Sequence, residues 1–437
     1  MTETQSTATV SRLNVKPRII SRADHSISRA DISDNALKVL YRLKNAGFKS
    51  CLVGGCVRDI LLGIKPKDFD VVTDARPEQI RELFRNCRLI GRRFRLAHVR
   101  FGSEIIEVST FRAPHHMAEG EGHIEDGRIV RDNVYGGIED DVWRRDFTVN
   151  ALFYDIRDFT VVDYVGGLYD IEHRLLRLIG EPHARFREDP VRMLRAVRFA
   201  VKLGFRIDES ALAAIHDLHH LLDGMPPGRM FEEFIKLFMN GHATETYRLL
   251  RQHRLFEHLF PDTSYVLEEN DDRGFTDRLL VHVFDNTDNR IRENKPVTPA
   301  FILAALLWTP LRNQTEDFIS NGVSEHEATL LACDAVISRQ VSNISMPRRF
   351  SRIAREIWSL QHRFKNRRGK RPLRLLSHPR YRAAYDFLLL RRDAGDDVDE
   401  LVEWWTAFMR DNEDVVASSK PHKVIRKRPR PRRRKHH

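Results

Sequence analysis

The chain has 437 residues, 41% of them apolar and 31% charged, and a formal net charge of +11, which suits a water-soluble fold of roughly two to four domains. Its longest strongly apolar stretch, residues 300–308, is far too short to span a bilayer, and residues 1–18 lack a signal peptide's apolar core, so a cytoplasmic protein without stable membrane insertion is expected. Cys51, Cys56, Cys87 and Cys333 form no CxxC pair, which indicates reduced thiols and neither a zinc site nor a disulfide framework.

Residues 1–30 read as a flexible lead. Ser33-Asp34-Asn35 offers an N-cap, and Ala36, Leu37, Leu40 and Leu43 then recur at helical spacing until Gly47. Residues 51–53 read as a short buried strand, Gly54-Gly55 as a tight turn, and 57–62 as a helix ended by Gly63. Residues 69–72 are strand-like, and "TDARPEQIRELF" follows as a turn and a Pro-started helix. Further strands are expected at 87–90, 98–101, 105–109 and 161–165, with a mobile loop over 112–137. Beyond these the chain is almost wholly helical, with Phe231, Phe234, Ile235 and Phe238 at i, i+3, i+4 and i+7 and amphipathic runs to about residue 410. Residues 420–437, "KPHKVIRKRPRPRRRKHH", hold ten of the Lys and Arg and no acid, so the net charge of +11 leaves about +1 for everything else. Three prolines discourage regular structure there. A disordered arm is expected, binding nucleic-acid phosphates through Arg426, Lys427, Arg428, Arg430, Arg432, Arg433, Arg434 and Lys435.

Chemistry concentrates in the front third. Asp68 and Asp70, at i and i+2 in a strand-like piece, share a face, and their like charges are costly unless a cation sits between them. Hard carboxylate oxygens suit magnesium. Gly54-Gly55 leads from a strand into a helix, which offers free backbone N–H groups to an anion, and Arg58 adds a bidentate phosphate contact. Together these describe a triphosphate cradle facing a metal pair. "HDLHH", residues 216–220, lacks the further separated ligands of a metal-dependent hydrolase and reads as a solvated helical histidine cluster.

Five blocks in order, "LVGGCVRDILLG…KDFDVVT", "EIIEVSTFR", "RRDFTVNAL", "YVGGLYDI" and "REDPVRMLRAVRFA", resemble the nucleotidyltransferase superfamily. The branch is that of bacterial poly(A) polymerases and CCA-adding tRNA nucleotidyltransferases. The resemblance implies an α+β nucleotidyltransferase head, a small mixed sheet with helices, over residues 31–170. An all-α neck (171–245) and body (246–412) would follow, then the arm (413–437). It implies that Asp68 and Asp70 bind two Mg2+ ions for in-line phosphoryl transfer, with Glu107 and Asp146 both open as the third carboxylate. Arg145 and Asn150 would touch sugar or phosphate. Asp189 and Arg192, on one helix face, would offer an acceptor and donors to the incoming base, and Arg195 and Arg198 would meet the triphosphate. Cys56 departs from the usual Gly or Ala, and its small side chain is expected to be tolerated beside the triphosphate. "LIGRRFRLAHVRFG" is similar to a stretch that marks the bacterial poly(A) polymerases, with Arg92, Arg93 and Arg95 as RNA contacts and Phe94 for stacking. The resemblance thus implies template-independent addition of AMP from ATP to RNA 3′ ends, by a monomer working with RNA-decay proteins. A CCA-adding enzyme is the alternative, and a non-catalytic RNA-binding protein on a decayed head is the alternative of another class.

Overall fold

Short apolar runs become the strands of one mixed sheet in the first of the two units into which the chain divides, Met1–Leu221 and Leu222–His437. The computed structural model describes residues 16–91, 95–113, 124–125, 128–129, 135–269 and 274–413. In chain order the strands are β1 (Arg18–Ile20), β2 (Ser50–Val53), β3 (Asp70–Thr73), β4 (Cys87–Ile90), β5 (Leu96–Phe101) and β6 (Glu104–Thr110). A small separate hairpin, β7 (Ile124–Glu125) and β8 (Arg128–Ile129), precedes β9 (Leu152–Asp155) and β10 (Thr160–Asp163). The sheet order is β1-β10-β9-β2-β3-β6-β5-β4. Only β3 and β6 run parallel among these neighbours; the other pairs are antiparallel. Every residue of β2 and β9 is buried, as central strands covered on both faces require.

The helices of this unit are α1 (Asp34–Asn45), α2 (Gly55–Leu61), α3 (Pro77–Leu83), α4 (Ile138–Arg144), α5 (Gly167–Glu172), α6 (Pro182–Glu188), α7 (Val191–Leu203) and α8 (Glu209–Leu218). Ser33 caps α1 by accepting the Ala36 N–H at 3.1 Å. Ala36, Val39, Leu40 and Leu43 are fully buried, and the helix packs on β2, β3 and β6.

Three local readings change. The flexible lead ends sooner than residue 30, because residues 18–20 pair with β10 and Ile20 is buried. That strand exists through its partner, so its own three residues do not announce it. Strand β9 has no alternation to mark it, since all four residues face core. Of the expected loop over 112–137, Arg112 bridges Tyr135 and β7 pairs with β8; the remainder lies outside the described residues.

The second unit is helical, as expected: α9 (Pro227–Phe238), α10 (Ala243–Gln252), α11 (Phe256–Leu259), α12 (Pro261–Glu269), α13 (Phe275–Arg292), α14 (Pro299–Leu306), α15 (Trp308–Ser320), α16 (Glu325–Asn343), α17 (Arg348–Arg363), α18 (Arg371–Leu376), α19 (Tyr381–Asp393) and α20 (Asp399–Asp411). On α9 the buried face is Met230, Phe234, Leu237 and Phe238, with Phe231 and Ile235 at its flank. Phe238 stacks on Phe284 of α13 at 4.9 Å. Buried indoles find backbone acceptors, Trp358 donating to Ala304 O and Trp405 to Phe364 O, each at 2.9 Å. Among the described residues no helix is long and apolar enough to cross a membrane.

Candidate active site

At the end of β2, Val53 stands opposite Asp70 of β3, and on the other side of β3 the parallel strand β6 brings Glu107 into register with Asp70. Asp68 lies just before the strand. Buried Phe69 between the two aspartates keeps both turned outward. Asp68, Asp70 and Glu107 line one cleft of about 630 Å³, with Lys67, His98 and Glu104 on its walls. Partial burial of the carboxylate, together with the neighbouring Glu107 and Asp68, pushes Asp70 up to about 6 against the pull of Arg145. His98 Nε2 lies 3.2 Å from Glu107 Oε1, without the alignment of a hydrogen bond.

Gly54 follows Val53 with φ 78° and ψ −135°, a backbone conformation that only glycine holds without strain. A Cβ there would lie 3.6 Å from Arg145 Nη1 and 4.0 Å from Asp70 Oδ2. The bare turn at Gly54-Gly55 therefore borders both the carboxylates and a guanidinium. That guanidinium is braced from behind: Arg145 Nη2 is 2.6 Å from Asp141 Oδ2, and Nη1 donates to Asn150 O at 3.4 Å.

Arg58 faces inward rather than toward an anion. It is 1% exposed, donates to Asp59 Oδ1 and Asn150 Oδ1, and sits 5.4 Å from the Phe199 ring. Asn150 in turn donates to Asp146 Oδ1 at 3.2 Å, and Arg195 pairs with Asp146 Oδ2. Burial alone would raise the Asp146 carboxyl, but the Arg195 guanidinium and the Asn150 and Phe147 N–H donors hold it below the usual range. A line of alternating charge and amide, buried at Asp59, Arg58 and Asn150 and opening toward Arg195, therefore runs Asp59–Arg58–Asn150–Asp146–Arg195. Asp146 sits in it with its oxygens already taken, and does not line the cleft that holds Asp68, Asp70 and Glu107. Arg58, Arg195 and Arg198 surround Phe199, whose ring packs edge-on against Phe147.

The segment that carries Asn150 is held from below by the "YVGGLYDI" block. Asp163 accepts from the N–H groups of Val165, Gly166 and Gly167 through Oδ1 and from Leu168 through Oδ2. Thr148 donates to Asp170 at 2.5 Å. A Cβ on Gly167 would meet Thr148 O at 2.4 Å, so that glycine permits the contact.

At the start of α7, Arg192 is 8% exposed and reaches back: Nη1 donates to Arg185 O at 2.8 Å and to Glu188 Oε2 at 2.9 Å. Its acidic partner is thus Glu188, not Asp189, which ends α6 and accepts from the Val191 N–H. Arg185 also ties the blocks together by donating to Arg145 O at 2.5 Å. Sequence reasoning passed over Arg185, Glu188, Asp141 and Phe199. The i,i+4 spacings of Asp141 with Arg145 and of Glu188 with Arg192, and the i,i+3 spacing of Arg185 with Glu188, offered a signal; Phe199 had none of this kind. Cys56 differs from expectation: its thiol is 3% exposed, donates to Val53 O at 3.3 Å, and is pushed by burial up to about 12. It fills core behind the turn. Of the histidines in residues 216–220, His216 and His220 are solvent-exposed and His219 is half-buried, so the expectation of a solvated cluster holds for two of the three. Arg95 is half exposed and pairs with Glu78. Arg92, Arg93 and the arm cations from Arg426 to Lys435 lie outside the described residues.

Three family profiles match the chain. "Poly A polymerase head domain" covers residues 50–177, "Probable RNA and SrmB- binding site of polymerase A" covers 204–267, and "Polymerase A arginine-rich C-terminus" covers 321–437. Poly(A) polymerase I of Escherichia coli O6:H1 is 50% identical over 402 residues, 89% of this chain and 85% of that protein. Poly(A) polymerase I of Haemophilus influenzae is 44% identical over 429 residues, 95% of each chain. The CCA-adding enzyme of Lactobacillus helveticus is 36% identical over 227 residues, 52% of this chain and 55% of that one. Among solved structures, a "tRNA-processing enzyme (apo form I)" aligns at TM-score 0.60 and 23% identity, over 90% of this chain and 98% of its own. The Bacillus stearothermophilus CCA-adding enzyme in complex with CTP aligns at TM-score 0.56 and 24% identity, over 86% and 82%. At those identities the two structures speak for the fold alone.

Proposed function

The chain belongs to the poly(A) polymerase family, and we propose from that premise which of its residues carry the template-independent transfer of AMP from ATP to RNA 3′ ends. Sequence likeness to the Lactobacillus CCA-adding enzyme covers about half the chain, whereas sequence likeness to the poly(A) polymerases runs through nearly all of it.

The reading of the site rests on one observation: Asp70 and Glu107 are register partners on adjacent parallel strands, and Asp68 opens into the same cleft. Three outward carboxylates and a raised Asp70 fit a hard divalent cation, so Asp68, Asp70 and Glu107 are the residues that would hold Mg2+. When bound, Mg2+ supplies charge neutralisation at the reacting phosphate and acidifies the attacking hydroxyl. The RNA 3′-oxygen attacks the α-phosphorus, a new P–O bond forms, the bond to the bridging oxygen breaks, and pyrophosphate leaves. Gly54 and Gly55 leave room beside Asp70 for the triphosphate. Arg145, braced by Asp141, faces that room as its cation. Arg58, Asn150, Asp146 and Arg195 act from behind as positioning residues. At the base, Asp189 supplies an acceptor, and Arg192 supplies the guanidinium N–H groups other than Nη1, with Arg198 further along the face.

The division into head (31–170), neck (171–245), body (246–412) and arm (413–437) belongs to this proposal. So do a cytoplasmic monomer, RNA-decay proteins as partners, and RNA contacts from Arg92, Arg93, Arg95 and the arm. The test is primer extension with radiolabelled ATP. Asp68→Ala and Asp70→Ala are expected to lower AMP addition by at least about a thousandfold while RNA binding stays within about twofold. Near-normal rates in either variant would remove that residue from the site, and incorporation of CMP by the parent chain onto tRNA lacking its 3′ end would favour the CCA-adding alternative.

A further inference from the structure

A second groove lies in the head, across the β5–β6 turn from the catalytic cleft. Helix α1 turns Ala36, Val39, Leu40 and Leu43 into the core, and its outer shoulder carries Lys38, Tyr41 and Arg42. With Phe84, Asn86 and Phe101 these residues line an open groove of about 600 Å³. Cations and rings alternate along it. Lys38 Nζ lies 5.9 Å from the Phe101 ring and the Arg42 guanidinium 5.2 Å from Phe84. Lys38 also donates to Asn35 Oδ1 at 3.2 Å. These contacts go to rings and an amide, and Asp34 is the one acid among the groove's lining residues, so Lys38 and Arg42 leave the lining net positive. Tyr41 and Phe101 are partly exposed, with Phe84 buried as the floor.

The groove and the catalytic cleft lie on opposite faces of the sheet and meet only around the tip of the β5–β6 turn, since His98 and Glu107 are register partners on one face and Phe101 and Glu104 on the other. Phe101 ends β5 and lines the groove, while Ser103 and Glu104, just past the Gly102 turn, line the cleft. Asn35, at the start of α1, donates to Glu104 Oε2 at 2.5 Å and ties the helix to the cleft's rim. A strand leaving the carboxylates thus has a single turn to cross before it meets the rings.

We infer that this groove holds the single-stranded RNA primer upstream of its reacting 3′ end, with bases on Tyr41 and Phe101 and phosphates on Lys38 and Arg42. Interleaved rings and cations suit an unpaired polynucleotide, whose every base has a face to stack and every link a charge. The groove lies outside residues 204–267, the stretch matched by the RNA-binding profile. The inference rests on the RNA-extending reading above.

The test uses the full chain and two primers, an adenosine trinucleotide and an RNA of about fifteen nucleotides. In Lys38→Glu/Arg42→Glu, and separately in Tyr41→Ala, the KM for the long primer is expected to rise about tenfold or more. The KM for the trinucleotide and kcat for both should stay within about twofold of the parent values. Lys38→Gln/Arg42→Gln, with milder charge loss, should show the same length-dependent effect at smaller size. Equal changes for both primers, or no change for the long one, overturn the inference. Fluorescence anisotropy with the long RNA and no ATP keeps the two readings apart. A parent that adds no AMP refutes the adenylyltransferase reading, while loss of RNA affinity in the charge-reversed variant still supports the groove.

Discussion

Glu107 and Asp146 carry the same charge into opposite surroundings, and that difference separates their proposed roles. Glu107 is half exposed beside Asp70, whereas Asp146 is largely enclosed, with Arg195, Asn150 and the Phe147 N–H on its oxygens. Glu107→Gln should therefore lower kcat with little change in urea midpoint. Arg195→Met should cost about 1–3 kcal/mol, because it leaves a largely buried carboxylate without its counter-charge. Unfolding curves at pH 7 and steady-state rates would check both; an unchanged kcat in Glu107→Gln would return the third carboxylate to Asp146. Asp70 adds a pH signature. Its carboxyl sits at about 6 in the fold, above the ordinary carboxylate value, so folding favours the protonated form. Without divalent metal, stability from this group is fully present at low pH and is lost as pH rises toward and through about 6. Asp70→Asn should then be the more stable protein in EDTA at pH 7.5, with the gap closing below about pH 4. A constant gap across that range would mean that charge is not the cause.

Between strand and helix, the Gly54 turn decides whether the carboxylates are reachable. Gly54→Ala meets one obstacle, a positive φ, since its Cβ would make only ordinary contacts, 3.6 Å from Arg145 Nη1 and 4.0 Å from Asp70 Oδ2. The strain alone should cost about 1–3 kcal/mol, and the KM for ATP should rise with it. Equilibrium unfolding and an ATP titration at saturating RNA measure the two effects; an unchanged KM would place the triphosphate elsewhere. The Gly-Gly turn was legible because glycine is rare in apolar runs unless backbone geometry needs it. The inward course of Arg58 and Arg192 was not. A guanidinium one turn into a helix has the same sequence signature whether it meets a phosphate or a buried carboxylate, and only Asp59, Asn150 and Glu188 packed nearby decide.

Across the whole molecule, charge is divided between a head with a carboxylate cleft and an arm rich in Arg. Deleting residues 420–437 removes ten cations. It should weaken RNA binding at low salt and flatten the dependence of log K on log salt by about 0.7 per lost phosphate contact. AMP addition to a short primer should persist, and an unchanged salt slope would give the arm another task. The helical second unit was readable at this scale, because apolar residues at helical spacing must bury a stripe. The identity of the stripe shifted on α9, where Leu237 and Met230 share the core with Phe234 and Phe238 while Phe231 and Ile235 stand at the flank.

The sequence by itself determined the α+β head, the helical remainder, the aspartate pair and the glycine turn. Each depends on local spacing and on residue types whose chemistry is hard to replace. It also held the ordered blocks that tie the chain to its family. Strand β1, strand β9, the meeting of Asp70 with Glu107, the enclosure of Asp146 and the inward thiol of Cys56 were decided only by tertiary structure. The reason is common to all of them. Register, ion pairing and burial are properties of a residue and its partner, and the partners lie tens of residues apart along the chain.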